Sequence, residues 1–290
     1  MLFKVFILNI GVFSCATAVI MIKASTEHVL LLAAYRQLVA ALVLAPLFIR
    51  DIRRFKQQYS WSRCLRSVGP GIALGLHFIT WNYGARMTLA ANASLIVNMV
   101  PVVMPFFIFF LTRELVNKKE VVGTIVALAG VFILGTADFH IGQETFSGDL
   151  MCFVSMLLFA LYLALGRRNR DIPSIWLYLV PLYLTGGIFC LLVSPLFITP
   201  FRWYTPGNLL YVLGLGIIPT IVGHSILNFS MKRLRGQVVA IANLGQFVYA
   251  GIMAFFCLQE IPEMVFYIAA FFIIIGAVVV IQHTVNKKLT

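Results

Sequence analysis

The sequence predicts an all-α polytopic membrane protein: ten transmembrane helices arranged as two inverted five-helix repeats. Three observations carry this expectation: an apolar composition, an alternation of Lys and Arg by side, and rare polar residues that recur at a fixed offset. The chain has 290 residues, 61% of them hydrophobic and 11% charged, with mean hydropathy +0.97. A soluble globular chain carries about 25% charged residues, so an ordinary soluble domain is excluded. Its 25 Phe and 10 Tyr exclude intrinsic disorder.

Taken in order, the apolar runs place spans near 4–24, 28–49, 67–86, 91–111 and 121–137. Five more fall near 148–166, 174–197, 208–230, 236–257 and 264–282. Each has about the length that crosses the hydrocarbon core. The first run, with Lys4 ahead of it and Ser14-Cys15-Ala16-Thr17-Ala18 inside it, imitates a signal peptide with a small-residue cleavage site. The apolar run continues to Ile22, so it is read as a retained first helix.

On these boundaries eighteen of the 22 Lys and Arg fall on one side, including Arg50, Arg53, Arg54, Lys56, Arg63 and Arg66 between spans two and three. The other side holds Lys23, Arg86 and Arg202, and Arg36 lies within a span. The positive-inside rule then places both termini in the cytoplasm; the expected location is the plasma (bacterial inner) membrane. The net charge of +12 therefore expresses topology. It calls for no nucleic-acid partner. The expected partners are the lipid bilayer and a small-molecule substrate, and nothing in the sequence sets the oligomeric state. Five dispersed cysteines, Cys15, Cys64, Cys152, Cys190 and Cys257, form no CxxC or metal spacing. They read as small apolar packers, and no metal or cofactor is expected.

Five spans per half is an odd number, so a duplicated half sits upside down relative to the first, a common transporter architecture. A shift of 146 places Asn82 on Asn228, Arg86 on Lys232, Glu114 on Glu260 and Gly130 on Gly276. The Asn and Glu are rare in apolar sequence and keep the same separation, 32, in both copies. A shift of 149 brings Pro46-Leu-Phe-Ile onto Pro195-Leu-Phe-Ile. The repeats are taken as 1–140 and 147–290, meeting in the Asp138–Asp149 segment, which lacks Lys and Arg and reads as a long outer loop.

These residues carry a resemblance. An early Arg in the second helix (Arg36) is followed by a small-residue start to the fourth (Ala90, Ala91, Ala93, Ser94). Prolines (Pro101, Pro105), a closing Glu (Glu114) and two glycines in the fifth helix (Gly123, Gly130) complete the pattern. In this the chain resembles the EamA branch of the drug/metabolite transporter superfamily over nearly its whole length. The second copy keeps Glu260 and Gly276 but has Phe247 and Gly251 opposite the two prolines, with Gln246 nearby. The resemblance implies a ten-helix bundle around a central cavity that moves small metabolites or their analogues.

The candidate substrate-binding residues are Arg36, His77, Trp81, Asn82, Asn98, Tyr162, His224, Asn228, Asn243 and Gln246. Polar groups within a bilayer are costly and face the bundle interior. Arg36 is the one charge within a span. It has two open readings: an anchor for a substrate carboxylate or phosphate, or a structural residue that snorkels to helix-end carbonyls. His77 and His224 stand five and four residues before Asn82 and Asn228, and Trp81 shares a helix face with His77. They suit either a cavity wall or interhelical hydrogen bonds. Ser155, Phe159 and Tyr162 form one stripe, and Asn243, Gln246 and Tyr249 another. Gly71 and Gly75 permit close helix approach. All ten acidic residues read as span ends or loops, which argues against a buried carboxylate that exchanges proton and substrate. Glu114 and Glu260 read as structural helix ends.

The leading expectation is a secondary carrier or facilitator of small amphipathic metabolites such as amino acids. A sugar-phosphate or nucleotide-type carrier would need more than one intramembrane cation. An intramembrane enzyme lacks its motifs, since neither HExxH nor GxSxG occurs. A non-transporting sensor or assembly protein is the remaining class.

Overall fold

A backbone in hydrocarbon must satisfy its own N–H and C=O groups, and a lone segment does so as a helix. The computed structural model describes residues 2–112, 118–200, 205–233, 239 and 242–286, which hold helices and no strand. Arg113, Glu114, Arg202, Arg235, Lys287 and Lys288 lie outside the described residues.

Helix α1 (Leu2–Ala24) leads to α2 (Val29–Arg54). The latter is capped by His28, whose ring accepts from the Leu30 N–H. The one-turn helix α3 (Trp61–Leu65) precedes α4 (Val68–Met87). The fourth span divides into α5 (Ala90–Val97) and α6 (Val100–Thr112), and α7 (Lys118–Ile141) closes the first half. In the second half, α8 (Gln143–Arg168) and α9 (Trp176–Val193) precede a three-part rod. This rod is α10 (Pro206–Leu215), the π-helical segment Gly216–His224 and α11 (Ser225–Arg233). Helices α12 (Gln246–Leu258) and α13 (Met264–Asn286) follow.

Seven helical stretches among the described residues are long and apolar enough to cross a membrane, which makes the chain a multi-pass membrane protein. Helix α4 is not one of them, although it has 20 residues. It spends its length on Gly, His, Trp, Asn and Arg because it packs on α8, α9, α2 and α1 rather than on lipid. Large apolar side chains such as Leu42, Phe132, Leu192 and Phe271 are exposed, as a lipid-facing surface requires.

Three sequence expectations need correction. The Asp138–Asp149 segment is not a long loop, because α7 runs to Ile141 and α8 begins at Gln143, leaving Gly142 alone between them. Phe139 and Phe146 pack edge to face across this corner, 5.4 Å between centroids, and no proline interrupts the helices. Consequently the acidic residues are not all solvated at span ends: Glu27, Asp51, Asp138 and Asp149 are buried. The fourth span breaks at Asn98–Met99, ahead of its prolines. Pro101 sits in the first turn of α6, where a missing N–H costs nothing, and the Asn98 amide donates to the Ser94 carbonyl at 2.8 Å.

The main interfaces join one half of the chain to the other: α7 with α13, α4 with α8, α2 with α9, and α1 with the π-helical segment and α12. The expected approach at Gly71 is present. A Cβ there would lie 2.6 Å from the Leu182 carbonyl oxygen on α9. At one end Lys23 pairs with Glu260 at 2.8 Å, and the Glu260 carboxylate also accepts from the Ala90 N–H that starts α5, at 2.7 Å. At the other end Arg66 grips Asp171 through both guanidinium arms, at 2.8 and 2.7 Å. That hydrogen bonding, with the charge of Arg66, holds the Asp171 carboxyl below the usual carboxylate range.

Candidate functional site

A central cavity is lined by Arg36, His77, Trp81, Asn98, His224 and Gln246 from the expected set, together with Cys15, Phe78, Phe159 and Pro219. Its volume is about 30 Å³. Ligand sites commonly run to about 300–1,000 Å³, so the cavity is closed to anything larger than a water or two.

Arg36 is 1% exposed and does not snorkel. Its Nε donates to Thr220 Oγ1 at 2.9 Å, and its guanidinium carbon lies 3.8 Å above the Phe78 ring. Nη1 is buried without a partner. Thr220 can accept because its own hydroxyl hydrogen goes to the Leu215 carbonyl at 2.7 Å. That five-residue step belongs to the π-helical segment around Pro219, a distortion that often marks functional sites.

The two histidines come together from opposite halves, with ring centroids 6.5 Å apart. His77 stacks on Phe159 at 4.7 Å, and its Nδ1 lies 3.0 Å from the Ser155 carbonyl. The Ser155 hydroxyl is nearer still, 2.8 Å from Nδ1, and it can either donate or accept. His224 Nδ1 is buried and unpartnered. Opposite them, Asn243 donates to Asn98 Oδ1 at 2.7 Å, and Gln246 Nε2 donates to Asn243 Oδ1. The site is thus one cation with a free donor, two imidazoles and an amide chain, set among Phe78, Trp81 and Phe159.

The other four expected residues stand behind this wall. Asn82 donates to the Val29 carbonyl at 2.9 Å and fixes the start of α2. Asn228 donates to the Tyr162 hydroxyl and, at 2.7 Å, to the His224 carbonyl, so these two brace the histidine. Asn243 links Asn98 to Gln246.

The model of the EamA-like transporter family matches residues 2–136 and again 146–282. The chain belongs to the EamA-like transporter family. As an EamA-like protein it is a membrane transporter of the drug/metabolite transporter superfamily, built from two copies of the family's unit. It is similar to an uncharacterized transporter of Clostridium kluyveri, 24% identical over 257 residues, covering 87% of this chain and 82% of that one. An uncharacterized transporter of Archaeoglobus fulgidus is 28% identical over 225 residues, covering 74% and 79%. A protein solved by crystallography shares the fold, with TM-score 0.69 at 20% identity over 97% of both chains.

Thr220 and Phe78, the two partners of Arg36 in this EamA-like chain, were missed in the sequence. The available signal was Pro219. A proline inside a span frees backbone groups and draws polar neighbours, and Thr220 follows Pro219 directly.

Proposed function

We propose that the chain is a secondary carrier or facilitator of small amphipathic metabolites, amino acids or related compounds, that works by alternating access of two inverted five-helix repeats. The observation that carries this reading is the Arg36 guanidinium: buried in the cavity wall, with Nη1 unpartnered and, among the described residues, no carboxylate paired with it. A substrate carboxylate supplies the missing counter-charge and acceptor, while Phe78, Trp81 and Phe159 offer apolar walls for the remainder of the molecule. The sugar-phosphate reading is weaker, because Arg36 is the cation lining this cavity among the described residues.

Helix pairing supports the inversion. The packing of α4 on α8 has its counterpart in that of the π-helical segment on α1. Likewise α8 against α5 and α6 corresponds to α1 against α12. The pairs α2–α9 and α7–α13 join helices that the repeat makes equivalent. A pseudo-two-fold axis in the membrane plane produces this pattern. The closed cavity is then an occluded state, and substrate enters when one end opens.

The deciding experiment is uptake of labelled amino acids into proteoliposomes, after a thermal-shift screen of a metabolite panel has picked the ligands. A ligand that binds the native state alone raises apparent stability. No shift and no uptake across carboxylate-bearing compounds would overturn the reading. Two further outcomes follow. With native cysteines removed, a cysteine at the exposed Gln143 reacts with impermeant maleimide in intact cells; labelling only after lysis reverses the orientation. Glu260→Gln keeps most of the flux, because the amide oxygen can still accept from the Ala90 N–H and Lys23 keeps the Thr88 carbonyl as its acceptor. Complete loss of flux in a folded Glu260→Gln protein would make Glu260 part of the mechanism.

A further inference from the structure

The corner between α7 and α8 carries polar chemistry that the central cavity does not use. Asp138 and Asp149 are 3% and 5% exposed, their carboxyl groups are close enough to interact, and Gly148, next to Asp149, packs on the Met87–Thr88 backbone. Asp138 Oδ2 accepts from the Asn92 amide at 2.8 Å. Asp149 also faces Thr88, yet neither of its oxygens completes an aligned hydrogen bond. Thr88 Oγ1 and Asn92 Oδ1 are likewise buried and unpartnered.

Two ionised carboxyl groups cannot share a buried contact without a cation. The charged neighbours do not supply one. From α1, Lys23 is matched by Glu260 at 2.8 Å and donates to the Thr88 carbonyl at 2.7 Å. From α4, Arg86 donates to the Ile22 and Ser25 carbonyls and lies beside Glu27. Along α8, Glu144 adds negative charge in the first turn, and Cys152 is a buried thiol one turn beyond Asp149. On α7, His140 lines the adjoining groove.

We propose that Asp138 and Asp149 form a proton-binding site that holds one proton between two carboxyl groups. Asp149 as the acid donates to the Asp138 carboxylate, which keeps its bond from Asn92. The other oxygen of Asp149 then accepts from the Thr88 hydroxyl. A single proton from water removes the like-charge contact and gives Asp149 and Thr88 their partners. Asp149 also borders a groove of about 510 Å³ between α7 and α8 that is separate from the central cavity. With the proton in place, the corner stays closed against Thr88 and the start of α5. Its release sets two like charges against each other and pushes that end apart.

The test uses the purified full chain in lipid nanodiscs. Infrared spectra of the wild type at about pH 7 show the carbonyl stretch of a protonated carboxylic acid, and Asp149→Asn and Asp138→Asn each lose it. Between about pH 6 and about pH 9 the wild-type melting temperature falls, because the shared proton leaves over that range and the two carboxylates then repel in the native state alone. Either Asn variant, an isostere of the protonated carboxyl, flattens that slope. Asp138→Asn supplies both readouts if Asp149→Asn does not fold. A band that survives in the variants, or a slope unchanged by them, overturns the site. Stabilisation of wild type, but not of the variants, by sodium over choline chloride also overturns it, in favour of a metal cation.

Discussion

Replacing Arg36 by Gln cuts flux by about 10- to 100-fold and raises the melting temperature of the purified protein. The two effects have one cause. A hydrogen bond between a charged donor and a substrate carboxylate contributes about 1.5–3 kcal/mol, which sets the size of the functional loss. Without substrate, the same guanidinium is a buried cation with an unpartnered Nη1 and, among the described residues, no carboxylate paired with it. Burial of an unmatched charge costs several kcal/mol, offset in part by the contact with Phe78. Thr220 is not orphaned in the variant, because its hydroxyl already donates to Leu215. Uptake and melting measured on the same preparation decide the matter. If Gln leaves flux intact and lowers stability, Arg36 is a structural residue and the cavity binds something else.

Gly71→Leu abolishes recovery of folded protein, whereas Gly69→Leu does not. The first variant sets its Cβ 2.6 Å from the Leu182 oxygen and 2.9 Å from Thr185 Cβ, and α9 cannot yield without leaving α2. At Gly69 nothing lies within 4 Å of an added Cβ. Overpacking costs about 1–3 kcal/mol when side chains can adjust; here backbone is struck, and the loss exceeds that range. Size-exclusion profiles of both variants after membrane extraction separate them. Equal profiles would mean that α4 and α9 are farther apart than described.

The helices were legible because hydrocarbon leaves a chain few choices, and a twenty-residue apolar run has one structural meaning. Their ends were less so. Apolar windows stop at polar residues while the helix continues, which is how Asp138 and Asp149 were assigned to a loop that α7 and α8 occupy. In the site, residue type pointed inward without saying how far. Arg36, His77 and Trp81 reach the cavity, while Asn82, equally polar and five residues after His77, turns to the Val29 carbonyl. The distinction depends on rotation about the helix axis and on which backbone carbonyls lie free nearby. Thr220 was hidden because the π-helical segment changes the residue-to-face mapping that ordinary helical spacing assumes.

Because the large interfaces join the two halves, the first half reaches the membrane before its partners exist. Arg36 waits for Thr220, 184 residues further along the chain. At about 5–20 residues per second, synthesis of that stretch takes about 10–40 s. During this interval the guanidinium has neither its hydroxyl partner nor the full bundle around it, and a lone Arg at membrane depth is expensive. The nascent first half must therefore be shielded within the insertion machinery, or keep Arg36 near the interface, until α10 and the π-helical segment arrive. Ribosome stalling or a premature stop before Thr220 thus leaves a marked chain, one whose unpaired intramembrane charge sets it apart for membrane quality control.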